Sequence, residues 1–284
     1  MNARHAAAGV VLFAATLLAS TPTLAQSGQS TTTPSTQTSP SRVKGDDRFF
    51  IRFVEDAGIV PSYWLEGKAA IATNTPAFDP NTRGGGEADL LSVTPVFAMN
   101  VAEDLEFGAR LSLVSRDPEN SGRDTGLSDL DLWGKVSVVS DPVKIALGIL
   151  VTAPTGSSDK FLGTGETNVE FFGGIRKDLS HVTLAGNVGL RINQDAEFDN
   201  LSVEGKNSIL FGAGVLIPVG ANTVVSAEWA FETERFEGMK NDSRLMGGVQ
   251  YRQNESLMYR GAVGGGMSDG SPDFELTGSA VWIF

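Results

Sequence analysis

Leu130-Asp131-Leu132-Trp133-Gly134-Lys135-Val136-Ser137-Val138 alternates without a break. Leu130, Leu132, Val136 and Val138 point one way, and Asp131, Trp133, Lys135 and Ser137 point the other. A period of two, with aliphatics on one side and charges on the other, is a strand with one apolar and one wet face. The next segment repeats the pattern. Val143, Ile145, Leu147, Ile149 and Val151 share a face, while Lys144, Ala146, Gly148, Leu150 and Thr152 take the other. Four such segments run from Thr125 to Asn193, joined by turns that are alternately short and long. The fold depends on what the apolar face meets.

The two ends narrow the choice. Met1 to Ala25 has a basic start (Arg4, His5), an apolar run from Ala6 to Ala19, and small residues at Thr23 and Ala25. That is the layout of a secretory signal peptide, with Gln26 the expected first mature residue; a retained membrane anchor is the alternative. Cysteine is absent, which leaves no acylation site and no disulfide framework. No later stretch approaches the roughly 20 apolar residues of a membrane helix. At the other end Phe274, Leu276, Gly278, Ala280, Trp282 and Phe284 form one face, with Glu275, Thr277, Ser279 and Val281 opposite. A last strand ending on Phe resembles the C-terminal assembly signal of bacterial outer-membrane barrels, here Trp282 and Phe284. A soluble sandwich is the competing architecture.

Between the ends, residues 26–45 are a Ser/Thr/Pro-rich tail with nothing to pack, expected to be disordered. Residues 46–60 form a short amphipathic N-terminal segment, at or inside the barrel mouth. Phe49, Phe50, Phe53, Val54 and Ala57 fit a helical spacing before Gly58, with an edge strand or interfacial segment as alternatives. No folded plug domain is expected ahead of the barrel. From residue 61 twelve strands are predicted, near 62–73, 88–100, 104–116, 127–139, 142–154, 165–177, 180–193, 206–218, 221–233, 243–252, 256–267 and 273–284. Short turns such as Ser140-Asp141-Pro142 and Val219-Gly220-Ala221-Asn222 alternate with longer pieces at 74–87, 116–126, 155–164, 194–205, 233–242 and 268–272. Loops sorted by side over an even strand number predict an all-β fold. It is a transmembrane antiparallel up-and-down β-barrel of about 12 strands, with short periplasmic turns and longer extracellular loops. Pro95, mid-strand, and the Gly-rich stretches strain that scheme.

If the aliphatic face meets lipid, the other face lines a lumen. The lumen-lining candidates are Glu106, Arg110, Asp131, Trp133, Lys135, Lys144, Glu170, Phe172, Arg176, Arg191, Glu228, Arg252 and Arg260. Charges of both signs there make either a polar conduit or a set of pairs that fills the space. Trp133, Phe172 and Leu210 offer an apolar contact to a solute or simply plug the interior. The net charge of −12 argues against nucleic acid. One histidine after the signal, His181 beside a short turn, has no serine elbow near it, so catalytic residues are expected to be none. Without Cys, no metal site of nitrogen or sulfur ligands is expected. The acidic groups Asp195, Glu197, Asp199 and Glu232, Glu234, Glu237 lack the spacing of a calcium loop. No cofactor is expected.

Several motifs carry a resemblance. Gly126-Leu127-Ser128-Asp129-Leu130, Gly134-Lys135, Ala153-Pro154-Thr155-Gly156 and Gly163-Thr164-Gly165 resemble the MetA-pathway of phenol degradation family, as do Gly247 to Arg252 and Gly264 through Phe284. The likeness covers roughly residues 60–284. It implies a Gram-negative outer-membrane transporter-like barrel for aromatic or other hydrophobic solutes, and it supplies no catalytic residues. The charged lumen face sits uneasily with a purely hydrophobic cargo. The resulting expectation is a monomeric, porin-like outer-membrane channel, exported by its signal peptide and inserted by the barrel-assembly machinery. It would pass small organic solutes passively; the alternative is a filled-lumen structural or adhesive barrel without transport.

Overall fold

The computed structural model describes residues 47–79, 84–118, 122–198 and 201–284. The expected signal peptide and the Ser/Thr/Pro-rich tail lie outside the described residues. Twelve antiparallel strands close into a barrel. They are β1 (Tyr63–Asp79), β2 (Gly84–Ala102), β3 (Leu105–Arg110, continuing as Leu113–Pro118), β4 (Asp124–Leu127, continuing as Leu130–Val139), β5 (Lys144–Ala153) and β6 (Asn168–Asp178). There follow β7 (Thr183–Ile192), β8 (Ser208–Pro218), β9 (Thr223–Glu232), β10 (Asp242–Arg252), β11 (Leu257–Gly266) and β12 (Phe274–Ile283). Each strand pairs with its sequence neighbour, and β12 returns to β1 from Trp64↔Ile283 to Thr73↔Phe274. Tyr63 and Phe284 exchange backbone hydrogen bonds at 3.1 and 3.4 Å, so the last residue completes the seam.

Alternation sorts the side chains. On β4, Leu132, Val136 and Val138 are exposed on the outer face, whereas Trp133 and Lys135 are 3% and 1% exposed inside. The same holds around the ring, with Leu147, Phe171, Val188, Phe211, Leu245, Val263 and Trp282 outward. This apolar outer belt is what barrels of the outer-membrane type present to lipid. Strand pairing on both sides satisfies the backbone polar groups, apart from local interruptions of the ladder.

Pro95 explains one interruption. It lacks an N–H to donate, and the break in β3 at Leu111–Ser112 lies opposite it, with Leu111 N–H reaching the Pro95 carbonyl at 3.4 Å. The β1–β2 hairpin is longer than its sequence predicts. The expected loop 74–87 is largely strand, entered through a register shift between Ala72 and Thr75 where Asn74 takes a left-handed φ of 49°.

Residues 47–61 form neither helix nor strand. They turn inside the barrel and plug it. Phe49, Phe50, Phe53, Val54, Ala57 and Val60 are buried, but so are Arg48, Glu55 and Asp56. Polar and apolar side chains of the segment are buried together, so a helix with one wet and one apolar face does not describe it.

Candidate functional site

The plug enters from the short-turn end of the barrel. Asp47 meets Arg252 of β10 at 3.2 Å, and the chain reaches its furthest point at Arg52, whose guanidinium donates to the Phe231 carbonyl. It then returns past Asp56 and Val60 to β1. Lacking a strand partner, its backbone takes hydrogen bonds from inward side chains of the wall. Glu228 accepts from the N–H groups of Phe50 and Ile51 at 2.8–2.9 Å. Gln250 both accepts from Arg48 N–H and donates to the Arg48 carbonyl. Arg260 donates to the carbonyls of Arg48 and Phe49 at 2.8 and 2.7 Å, and also to Glu66. Lys135 caps the carbonyls of Val54 and Asp56, while Glu106 accepts Val60 N–H at 2.8 Å and the Trp133 indole N–H at 3.0 Å.

Ion pairs tie the plug's charges to the wall. Asp56 sits 3.1 Å from Arg176 and 3.7 Å from Arg48, and Arg48 lies 3.6 Å from Glu106. Burial by itself would raise the Asp56 carboxyl; Arg176, Arg48 and the Gly58 N–H outweigh it and hold the group below the usual carboxylate range. Removing one member of a buried pair strands the other, at a cost of about 3–5 kcal/mol.

Apolar contacts fill what the polar ones leave. Phe53 packs on Trp64 and Trp133 with ring centroids 5.4 and 6.2 Å apart, in a cluster that includes Phe172 and Leu150. Phe50 lies against Met246 and under Arg260, whose guanidinium is 4.3 Å from the ring. Glycine gives the plug room. A Cβ at Gly174 would collide with the Glu55 carbonyl oxygen, and one at Gly248 would stand 2.5 Å from Phe50. Against the β7–β8 wall the remaining void is about 10 Å³, room for about one water.

The structure therefore divides the residues read from sequence into groups. Glu106, Trp133, Lys135, Phe172, Arg176, Glu228, Arg252 and Arg260 all surround the plug or touch it. Arg110, Asp131, Glu170 and Arg191 lie nearer the long loops in a belt of pairs. Arg110 meets Asp131 at 2.8 Å, Arg191 joins Glu170, and Arg191 meets Glu232 at 2.6 Å. Lys144 pairs with Asp178 at the short-turn mouth, which opens into a cavity of about 720 Å³. Gln250 is a plug contact that sequence alone does not single out; among glycines, nothing local distinguishes a lumen amide.

Three of the motif fragments meet at one point. The Asp129 carboxylate, in the break of β4, accepts the N–H of Gly156 at 3.0 Å and both the N–H and hydroxyl of Thr164 at 2.8 and 3.1 Å. A Cβ at Gly163 would collide with that carboxylate, and Gly165 holds a φ of 75°. Three stretches separated by up to 35 residues thus form a clasp that pins the β5–β6 loop to the wall.

No family model and no curated protein matches the sequence. Solved structures do. The chain is similar to the COG4313 outer membrane channel from Pseudomonas putida F1, with a TM-score of 0.61 at 15% identity, covering 81% of this chain and 98% of that one. It is also similar to the KdgM porin in complex with disordered oligogalacturonate (TM-score 0.53, 8% identity, 78% and 99% covered) and to the NanC porin (0.51, 8%, 78% and 100%). At these identities the likeness defines the fold, an outer-membrane-type β-barrel of the kind that channels and porins use.

Proposed function

We propose that the chain is an outer-membrane channel that passes small organic solutes passively, and that residues 47–60 close it at rest. The observation that carries the reading is how the plug is held. It is bonded by side chains, not by strand pairing, so it leaves without opening a ladder. The charges it would abandon, Glu106, Lys135, Arg176 and Glu228, would then line a wet lumen where water solvates them. The signal peptide would export the chain, the C-terminal strand with Trp282 and Phe284 would address it to the barrel-assembly machinery, and lipid would cover the outer belt of a monomer. The resemblance to the MetA-pathway family supports aromatic or hydrophobic cargo as the finer reading.

The void of about 10 Å³ beside the plug favours a second reading, a permanently filled barrel with a structural or adhesive role. Liposomes separate the two. Entry of phenol, a small sugar and a fatty acid would be compared between the mature protein and a variant lacking residues 47–58. Entry through the parent above that of protein-free liposomes supports the channel, and faster entry through the variant assigns the plug as its closure. No entry through the parent, with both barrels folded and the variant open or closed, leaves the filled-barrel reading.

A further inference from the structure

Alternation along the strands puts an apolar solute contact at Trp133, Phe172 and Leu210, but Phe53 of the plug occupies the cluster that holds Trp133 and Phe172. A second apolar cavity, of about 320 Å³, lies at the opposite end, under the long loops. Ten of its twelve described lining residues are apolar. Leu90 and Val114 come from the extended parts of β2 and β3, and Leu162 from the loop pinned by Asp129. Phe198 and Val203 come from a two-stranded ribbon, Ala196–Phe198 with Leu201–Val203, that lies within the β7–β8 loop. The ribbon is braced. Gly205 bridges Phe236, Lys206 N–H donates to the Arg235 carbonyl at 2.8 Å, and Glu237 N–H donates to the Glu204 carbonyl at 2.9 Å.

We infer that this cavity is a capture site at the outer mouth for a small, flat, apolar molecule of one or two rings. Its volume falls in the range of small-molecule sites, and its walls are built before any ligand arrives. The rings of Phe161 and Phe198 stack at 5.0 Å with 22° between their planes, and Arg116 lies 5.2 Å over Phe161. Aromatic rings in a cavity wall favour a flat apolar guest through edge or offset contact. Sugars fit poorly, because the cavity offers little to hydrogen-bond their hydroxyls and burying those unpaired is costly. The side chains of Arg110, Asp131, Glu170, Arg191 and Glu232 are paired with one another in the barrel, and an apolar ligand does not displace them. The cavity therefore concentrates a ligand ahead of the closed lumen. Its place in transport rests on the channel reading; its binding does not.

The chain has no cysteine, so Met239→Cys at the partly exposed edge of the cavity is a unique reporter. In lipid nanodiscs, the rate at which a charged thiosulfonate modifies the introduced thiol would be measured with and without naphthalene, and with glucose as the polar comparison. Saturating naphthalene is expected to slow modification about tenfold while glucose does not, as mass action gives for a ligand at ten times its Kd. Adding Val114→Trp, which fills the cavity, should abolish the protection while the barrel stays heat-modifiable. Absence of protection, or equal protection in the Val114→Trp background, overturns the inference. Permeable liposomes without protection would sink the capture site alone; protection without any permeability would sink the channel reading and leave the site standing.

Discussion

Asp129 shows how much one side chain organises. Its carboxylate holds three donors from two loop segments, and the glycines at 156 and 163 leave it room. Asp129→Ala should leave the Gly156 and Thr164 N–H groups unpaired, at about 1–3 kcal/mol each. The expected result is faster amide exchange at residues 155–165 with the strands unchanged; unchanged exchange there would refute the clasp. Gly174 tests the plug in the same way. Gly174→Val sets a side chain into the Glu55 carbonyl, which should expel the plug and make residues 47–60 accessible to protease in a barrel that still folds. Protection equal to the parent would show that the wall yields instead.

At the scale of the element, the plug's buried charges are paired with those of the bore, and its docking should depend on pH. Asp56 is held below the ordinary carboxylate range, so it contributes docking stability that is complete above about pH 4. That contribution is lost as pH falls through the folded value, when the protonated carboxyl no longer answers Arg176 and Arg48. Conductance in planar bilayers is therefore expected to rise as pH drops below about 4, and an Asp56→Asn protein should show raised conductance at neutral pH without the acid step. A flat pH response in the parent would mean that Asp56 does not control docking. Strand β3 makes the complementary point about covalent chemistry. The missing N–H of Pro95 accounts for a break that hydrophobic alternation alone would have carried straight through.

Across the whole molecule, closure removes the edges that an open sheet would expose, and β12 with Phe284 supplies the last seam. Unboiled protein should migrate apart from boiled protein in detergent electrophoresis. Removing Phe284 takes away both backbone bonds to Tyr63 and should lower the temperature at which the two forms converge. An identical transition would show that the seam is held by β1 and β12 alone. What the sequence by itself determined is the barrel. A period of two, an apolar outer face and loops sorted by side are local and repeated. Twelve strands, and the alternation that turns Trp133 and Lys135 away from Leu132 and Val136, were therefore legible without coordinates. Only the tertiary structure decided what fills the lumen and where an apolar cavity remains. The plug is bonded through pairs as far apart as Arg48 and Arg260, 212 residues along the chain, and the outer cavity is assembled from several separate loop regions. No window of sequence contains such contacts, because their partners become neighbours only when the ring closes.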